Sequence, residues 1–259
     1  MRLKDKIAIV TGGGKGMGKE FVRAFAREGA HVAVCGRTMS NLEEVASEVK
    51  EMGRKALALS MDVTNEGSVE SGVKRTVDEF GRIDILVNTA GMIGPVETIG
   101  TEVSAEDFES MWRTNTLGTF LTNKAVLKVM IPQKEGQIVN IAGTSGLRGY
   151  PMRVAYSSSK WGVIGITKTL ALDVGRYNIR VNAICPGATL GERMSTIVRE
   201  KARVRGLSVE EVEQEYAEDM ALKRWLKPTE LAAAGVFLAS DDSSAITGQA
   251  IAVDGGWDV

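Results

Sequence analysis

The chain has 259 residues, of which 44% are hydrophobic and 25% are charged. These values are typical of a globular protein with a sizeable core, and they exclude a disordered chain. The length fits one large domain or two small ones, and we take 1–259 as a single domain, since doubly wound α/β folds routinely have this length. Its 32 basic and 33 acidic residues give a net charge of −1, and aromatic residues make up 5%. This composition argues against nucleic acid or an anionic membrane as a partner.

Cysteine and histidine are scarce. Cys35 and Cys185 are too few for a disulfide framework, and the lone His31 leaves metal sites and Ser-His-Asp catalysis poorly supplied. The N-terminal apolar run covers only Ile7–Val10, too short for a signal peptide, and no apolar stretch approaches a membrane span. We therefore expect a cytoplasmic protein with no metal site and no membrane partner.

Short apolar strands alternate with helical patterns along the chain. The predicted strands are Ile7–Val10, His31–Cys35, Ala56–Met61, Ile83–Val87, Gln137–Ile141, Ile179–Ile184 and Gln249–Val253. The predicted helices are Lys19–Glu28, Asn41–Met52, Ser68–Phe80, Ser104–Met130, Val154–Tyr177 and Thr229–Ser240. This alternation predicts a doubly wound parallel sheet of about seven strands with helices on both faces.

The segment 190–227 departs from the alternation. It carries a basic run and then an acidic run, and Ser208 followed by Glu211 has the pattern of a helix capping box. We predict inserted helices that form a substrate lid over the carboxyl ends of the strands, where such sheets bind ligands.

A glycine-rich run, Thr11-Gly12-Gly13-Gly14-Lys15-Gly16-Met17-Gly18, lies between the first predicted strand and the first helix. Glycines allow a tight turn and close backbone approach to a pyrophosphate, and the following helix offers free N–H groups at its positive end. Glycines also mark ordinary turns, but the strand-turn-helix context favours nucleotide binding.

Tyr156 and Lys160 are four residues apart in a predicted helix and therefore point the same way. An ammonium about 4 Å from a phenol, at an effective dielectric of about 20, favours phenolate by ~4 kcal/mol, or ~3 pKa units, before desolvation. Such a shift would allow proton exchange with an alcohol or a carbonyl near neutral pH. A Tyr and a Lys at this spacing, taken alone, are more often an ordinary surface pair.

The chain as a whole resembles the short-chain dehydrogenase/reductase family. The resemblance runs from Lys6 to Trp257. It rests on motifs that occur in the family's order: the glycine run, Asn88-Thr89-Ala90-Gly91, Asn115, Tyr156-x-x-x-Lys160, Pro186-Gly187, Thr247-Gly248-Gln249 and Asp254-Gly255-Gly256.

This resemblance implies a single Rossmann-like domain that binds a nicotinamide cofactor. Tyr156 would be the acid/base, Lys160 would depress its pKa and hold the ribose, and Asn115 would anchor a water relay at a local interruption of its helix. The implied cofactor-binding residues are Gly12, Lys15, Gly16, Met17, Gly18, Arg37, Asp62, Val63, Asn88, Ala90, Gly91, Tyr156, Lys160, Pro186, Gly187 and Thr189.

Two positions depart from the family pattern. The family serine that orients the substrate oxygen, 13 residues before the tyrosine, is Gly143 here. Ser145 would replace it if the chain stays extended past Gly143, because residues two apart on a strand share a face. Thr144, or no hydroxyl at all, is the alternative. The family's carboxamide-binding threonine is replaced by Gly191, which leaves Thr189 as the candidate anchor.

Cofactor choice depends on the residues after the second strand. NAD sites place a carboxylate there, and this chain has Gly36 followed by Arg37. Together with Lys15, Arg37 suits the 2′-phosphate of NADP(H), although both could be solvated surface cations. NAD(H) use remains the first alternative.

The sequence thus predicts an NADP(H)-dependent oxidoreductase acting on a small carbonyl or alcohol substrate. A non-catalytic nucleotide-binding regulator is the less favoured alternative, because Gly143 replaces the family serine. Ser145, Arg148, Arg153 and Arg193 are candidate substrate-binding residues. The three arginines would suit an anionic substrate, although surface arginines are the more common explanation. By resemblance, the protein would form a homo-oligomer, a tetramer or a dimer.

Overall fold

Seven parallel strands form one sheet in the computed structural model, which describes residues 1–257. The strands, in the spatial order β3-β2-β1-β4-β5-β6-β7, are β1 (Ile7–Thr11), β2 (His31–Gly36), β3 (Ala56–Ser60), β4 (Ile85–Asn88), β5 (Gly136–Ile141), β6 (Ile179–Pro186) and β7 (Ala250–Val253). The order reverses between β1 and β4, so the loops that follow these strands diverge and leave a crevice. The predicted doubly wound sheet is confirmed.

Helices cover both faces of this sheet. They are α1 (Gly16–Arg27), α2 (Met39–Glu51), α3 (Glu66–Phe80), α4 (Ala105–Met111), α5 (Gly118–Gln133), α6 (Val154–Val174), α7 (Glu192–Arg205), α8 (Val209–Asp219) and α9 (Pro228–Ala239). One core cluster joins α1, α2 and α9 to the sheet, with Phe21 and Phe25 fully buried in it. The other joins α3, α5 and α6 and contains Val126 and Met130. Burial on both faces explains why the strands are continuously apolar.

Two element boundaries show how local hydrogen bonds shift an element's start from the predicted residue. Helix α3 begins at Glu66, ahead of the predicted Ser68, because the Asn65 side chain accepts a hydrogen bond from the Ser68 backbone N–H at 2.9 Å and caps the helix. Strand β4 begins at Ile85 and not at Ile83. The preceding Asp84 is buried, and its carboxylate accepts from the backbone N–H of Ile7 at 2.8 Å.

The predicted helix Ser104–Met130 is interrupted. Six residues, Trp112–Leu117, form a π-helical turn between α4 and α5. A wider turn of this kind is frequent at functional sites. The interruption that the family resemblance implied at Asn115 is therefore present.

The segment 190–227 folds as two inserted helices, α7 and α8, with a small core of their own. Val198, Val212, Tyr216 and Met220 are buried together in it. The Ser208–Glu211 capping box is confirmed at the start of α8. None of the helices within residues 1–257 is long and apolar enough to cross a membrane.

Candidate active site

The glycine run forms the turn between β1 and α1 at the carboxyl edge of the sheet. Gly12 has a φ of +67°, and a Cβ on Gly18 would collide with the Gly12 carbonyl oxygen, so neither position accepts a side chain readily. Lys15 occupies the N-cap without a capping side-chain hydrogen bond, and the first turn of α1 has no acidic residue. The free N–H groups and the positive dipole end at the N-terminus of α1 can therefore bind a phosphate.

Met17 connects this turn to the rest of the molecule. Its side chain is partly buried and packs against both the core under α1 and the apolar cluster of the inserted helices. The glycine turn and the inserted helices are thus in contact through Met17.

The residues that would face the adenosine half of a dinucleotide follow β2 and β3. Arg37 and Lys15 are exposed, and neither forms an ion pair in the part of the chain that the structure describes. Hydrogen bonds from Thr64, chiefly from its backbone N–H, lower the pKa of Asp62, and the Arg37 charge adds to this effect. Val63 is buried against α5, where a Cβ on Gly118 would press on it.

Asn88 ends β4 and is buried. Its Oδ1 accepts from Thr122 Oγ1 at 2.7 Å, and its Nδ2 donates to Asn140 Oδ1 at 2.9 Å. The side chain therefore ties β4 to β5 and α5. The following Ala90 lies against the glycine turn, since a Cβ on Gly12 would be 3.0 Å from the Ala90 nitrogen. Asn88 thus fixes the loop that brings Ala90 and Gly91 to the crevice.

Asn115 is fully buried in the π-helical turn, with 0% of its surface exposed. Its Oδ1 accepts from the Met92 backbone N–H at 2.9 Å, and its Nδ2 donates to Ser159 Oγ at 3.0 Å. Its own carbonyl accepts from Thr119 Oγ1 at 2.7 Å. The side chain therefore joins the loop after β4 to α6, the helix that carries Tyr156.

Tyr156 and Lys160 lie in the first turns of α6 and face the crevice. Lys160 is 5% exposed, and its Nζ donates to the Ile141 carbonyl at 2.8 Å. This Nζ lies 5.8 Å from the centroid of the Tyr156 ring. Burial lowers the pKa of Lys160, whereas the neighbouring Tyr156 opposes that shift.

Two arginines complete a ring of cations around Tyr156. The Arg153 Cζ lies 4.7 Å and the Arg193 Cζ 5.8 Å from the ring centroid. Burial alone would raise the pKa of Tyr156, but the charges of Arg193, Lys160 and Arg153, with a hydrogen bond from Arg193, lower it below its ordinary value. The sequence predicted the effect of Lys160 on the Tyr156 pKa but not that of the two arginines. Packing of the inserted helix α7 places Arg193 beside Tyr156, and the start of α6 places Arg153 there.

The backbone after Gly143 is not extended as the Ser145 argument required. Gly143 has a φ of +111°, and Thr144–Gly146 form a single 3₁₀ turn, so the same-face spacing of a strand does not apply. The turn nevertheless carries Ser145 back to the site. A Cβ on Gly143 would lie 3.5 Å from Ser145 Oγ and 3.7 Å from the Tyr156 hydroxyl. Ser145 is thus near the missing side chain for a reason other than the predicted one.

A cavity lies between these residues and the inserted helices, with about 530 Å³ of space including the part open to solvent. Its lining comprises Gly143, Thr144, Ser145, Tyr150, Arg153, Tyr156, Pro186, Gly187, Ala188, Arg193, Met194, Ile197, Lys201, Tyr216 and Trp257. Tyr156 borders this cavity, so a small organic ligand bound in it would lie beside the phenol.

Arg148 and Thr189 are not among the residues that line this cavity. The Arg148 Cζ lies 5.4 Å from the centroid of the Trp257 ring. Thr189 is buried and donates its hydroxyl hydrogen to the Gly187 carbonyl at 3.0 Å. Pro186 and Gly187, by contrast, line the cavity. Within residues 1–257, no group of three or more His, Cys, Asp or Glu side chains could hold a metal ion.

Comparison with known proteins matches residues 12–258 to a family model described as enoyl-(acyl carrier protein) reductase. The chain is 37% identical to the 3-oxoacyl-(acyl-carrier-protein) reductase FabG of Thermotoga maritima, over 99% of both chains. It superimposes on an NAD+-bound xylitol dehydrogenase with a TM-score of 0.95, at 34% identity, covering 99% of this chain and 100% of the other.

A second solved structure, an actinorhodin polyketide ketoreductase variant with NADPH, gives a TM-score of 0.93 at 34% identity, over 98% of this chain and 97% of the other. One structural neighbour thus holds NAD+ and the other NADPH, and the choice between them rests on this chain's own residues. The relatives are oxidoreductases over their full lengths, which favours an enzyme over a non-catalytic nucleotide binder. The chain is an oxidoreductase that belongs to the short-chain dehydrogenase/reductase family.

Proposed function

We propose that this protein is an NADP(H)-dependent oxidoreductase that moves hydride between the nicotinamide and a small carbonyl or secondary alcohol, with Tyr156 as the acid/base. The observation that carries the proposal is the position of Tyr156, which borders the cavity with the cations of Lys160, Arg153 and Arg193 around its ring. A phenol tuned in this way can exchange a proton with an alcohol oxygen nearer neutral pH.

The glycine turn fits a dinucleotide, since the space a Cβ on Gly18 would need is taken by the Gly12 carbonyl and the α1 N-terminus is uncapped. When bound, the nicotinamide supplies or accepts the hydride. We assign the pyrophosphate to the glycine turn, the adenine side to Asp62 and Val63, and the nicotinamide side to Ala90, Gly91, Pro186 and Gly187. Thr189 is the candidate carboxamide anchor through its backbone, because its hydroxyl already donates to Gly187.

In the reduction, Tyr156 donates its hydroxyl proton to the substrate oxygen as the carbonyl becomes an alcohol; in the oxidation, its phenolate takes that proton back. Lys160 stabilises the phenolate and holds the ribose. Ser145 orients the substrate oxygen, because the structure shows no hydrogen-bond partner for its hydroxyl among the described residues. Asn115 maintains the π-helical turn through which a proton relay would reach solvent.

Gly36, Arg37 and Lys15 support NADP(H) over NAD(H). Gly36 leaves no carboxylate after β2 to repel a phosphate, and the two exposed cations have no carboxylate partner within residues 1–257. A 2′-phosphate would be an anionic partner for both cations, through charge-assisted hydrogen bonds. NAD(H) use is the alternative outcome.

The inserted helices serve as a substrate lid in this proposal. Tyr216 of α8 hydrogen-bonds Tyr150 at 3.2 Å, and Lys201 of α7 pairs with Glu97 at 2.9 Å, so both helices close over the cavity. The buried free thiols of Cys35 and Cys185 are compatible with the reducing cytoplasm.

We further propose that the protein self-associates through the face formed by α4, the π-helical turn, α5 and α6. Large apolar side chains are exposed there: Phe108, Trp112, Leu117, Phe120 and Trp161. An exposed apolar face of this kind is typical of an interface between subunits.

The direct test is the Tyr156→Phe variant, which keeps the ring and removes the hydroxyl. Turnover, measured as absorbance change of the nicotinamide against a panel of ketones and alcohols, should fall by about 10²–10⁴. Affinity for NADPH, measured by fluorescence, should change little. A variant that retains a tenth of the wild-type kcat would refute the assignment of Tyr156.

A further inference from the structure

We infer that the substrate carries an acidic group and that Arg153, assisted by Arg193, binds it. This inference rests on the proposed function and adds the class of substrate: a short-chain oxo acid in the reduction and the matching hydroxy acid in the oxidation.

The first support is the burial of Arg153 without a counter-charge. It is 4% exposed and forms no ion pair with a carboxylate of the described residues. Its Nη2 donates to the Ile93 carbonyl at 2.9 Å, whereas its Nη1 is buried with no hydrogen-bond partner. Burial of an unpaired guanidinium is costly, and an anion in the adjoining cavity would offset that cost.

A second buried arginine in the same molecule shows what satisfied burial looks like. Arg180 is 9% exposed and also lacks a carboxylate hydrogen-bond partner. Its Nη1 donates to the Leu238 carbonyl and to Ser243 Oγ, and its Nη2 donates to the Ser240 carbonyl. Fixed oxygens of the protein therefore accept hydrogen bonds from both terminal nitrogens of Arg180. By contrast, the Nη1 of Arg153 has no hydrogen-bond partner, and Arg153 lines the cavity.

The other cations around the cavity differ in their availability. Lys201 is neutralised by Glu97 at 2.9 Å, and Lys160 donates to the Ile141 carbonyl. Arg193 donates to the carbonyls of Gly91 and Met92, from an exposed position at the mouth. The net charge facing the cavity is therefore positive, with Arg153 and Arg193 as the groups that can receive an anion.

The geometry limits the length of the substrate. The Arg153 guanidinium lies over the face of the Tyr156 ring, with 4.7 Å from its Cζ to the centroid. An acidic group held by Arg153 is then only a few bonds away from a carbonyl oxygen at the Tyr156 hydroxyl. A bidentate arginine contact would also orient that carbonyl, since the planar fork fixes the plane of a carboxylate.

The test compares matched substrates: short 2- and 3-oxo acids and their methyl esters, each reduced with NADPH and with NADH. The wild type should prefer the acids in kcat/KM by tenfold or more. Arg153→Gln should lower the acid-to-ester ratio by about 10- to 100-fold, the range of one charge-assisted hydrogen-bonded contact. Arg153→Lys should restore part of the ratio, because it keeps the charge without the fork.

The matched control is Arg199→Gln, which removes an arginine of the same helix as Arg193 whose guanidinium does not line the cavity. Its acid-to-ester ratio should equal that of the wild type. Melting temperatures of all variants show whether the fold is intact, and the ratio is insensitive to a general loss of active protein. Equal use of acids and esters by the wild type, or an unchanged acid-to-ester ratio in Arg153→Gln, overturns the inference. Neither result contradicts the proposed oxidoreductase function. Absence of turnover with either substrate class and either cofactor contradicts the proposed function itself.

Discussion

The two halves of the crevice recognise their ligands by different means. On the β1–β3 side, the glycine turn offers backbone N–H groups, and the available charges, Lys15 and Arg37, are exposed. On the β5–β6 side, Tyr156, Lys160 and Arg153 are packed into the protein and act through side-chain charge at close range. Screening by solvent weakens the first set of charges, whereas burial strengthens the second.

This difference sets the size of the effects that substitutions should have. A group that acts on the reacting oxygen inside the cavity controls the barrier, so its loss should appear in kcat. A group on the exposed side controls which cofactor binds, so its loss should appear in selectivity. Substitutions on the two sides of the crevice should therefore differ, with effects on kcat on the buried side and effects on cofactor selectivity on the exposed side.

Ser145→Ala should lower kcat by about 10²–10³, the effect of removing one hydrogen-bond donor from a reacting oxygen. Thr144→Val is the matched control, since Thr144 neighbours Ser145 in the same 3₁₀ turn and also lines the cavity. Steady-state kinetics on one substrate decide between them. A Ser145→Ala enzyme within about twofold of the wild-type kcat would remove Ser145 from the catalytic set, and a large loss in Thr144→Val would transfer the role to Thr144.

Arg37→Asp should shift the ratio of kcat/KM for NADPH over NADH toward NADH by about 10- to 200-fold, because it removes a phosphate partner and adds a carboxylate that repels the phosphate. Arg27→Asp is the matched control, because Arg27 lies at the end of α1 away from the glycine turn and the substitution changes the net charge equally. It should leave the NADPH-to-NADH ratio of kcat/KM unchanged. If the wild type uses both cofactors equally well, Arg37 and Lys15 are solvated surface cations.

The features read correctly from the sequence are those that local chemistry determines. The glycine turn, the alternation of strands and helices and the Ser208–Glu211 capping box depend on residues close together in the chain, and each is present. The predicted position of Ser145 depended on an extended backbone after Gly143. The structure instead has a positive φ at Gly143 and a 3₁₀ turn after it. A single glycine in a sequence does not specify which conformation it adopts.

The cationic surroundings of Tyr156 illustrate the opposite case. Lys160 is four residues away and was predictable from helix periodicity. Arg193 is 37 positions further along the chain (Tyr156 to Arg193) and reaches the phenol only because α7 folds over the crevice. Among the charges acting on Tyr156, that of Arg193 lowers its pKa most. Sequence spacing therefore identified the acid/base pair but not the largest charge acting on it.

The central claim, that the cations around Tyr156 tune it as the acid/base, is tested most directly by the pH dependence of kcat for alcohol oxidation at saturating substrate. The phenolate is the active form in this direction, so kcat should rise with pH through a pKa below the ordinary tyrosine value of about 10. In the reduction, which needs the protonated phenol, kcat should fall through the same pKa. Arg193→Met removes a charge that favours phenolate and should move both limbs to higher pH, whereas Arg193→Lys and the exposed control Arg199→Met should leave them near the wild-type position. Limbs that stay in place in Arg193→Met would contradict the account.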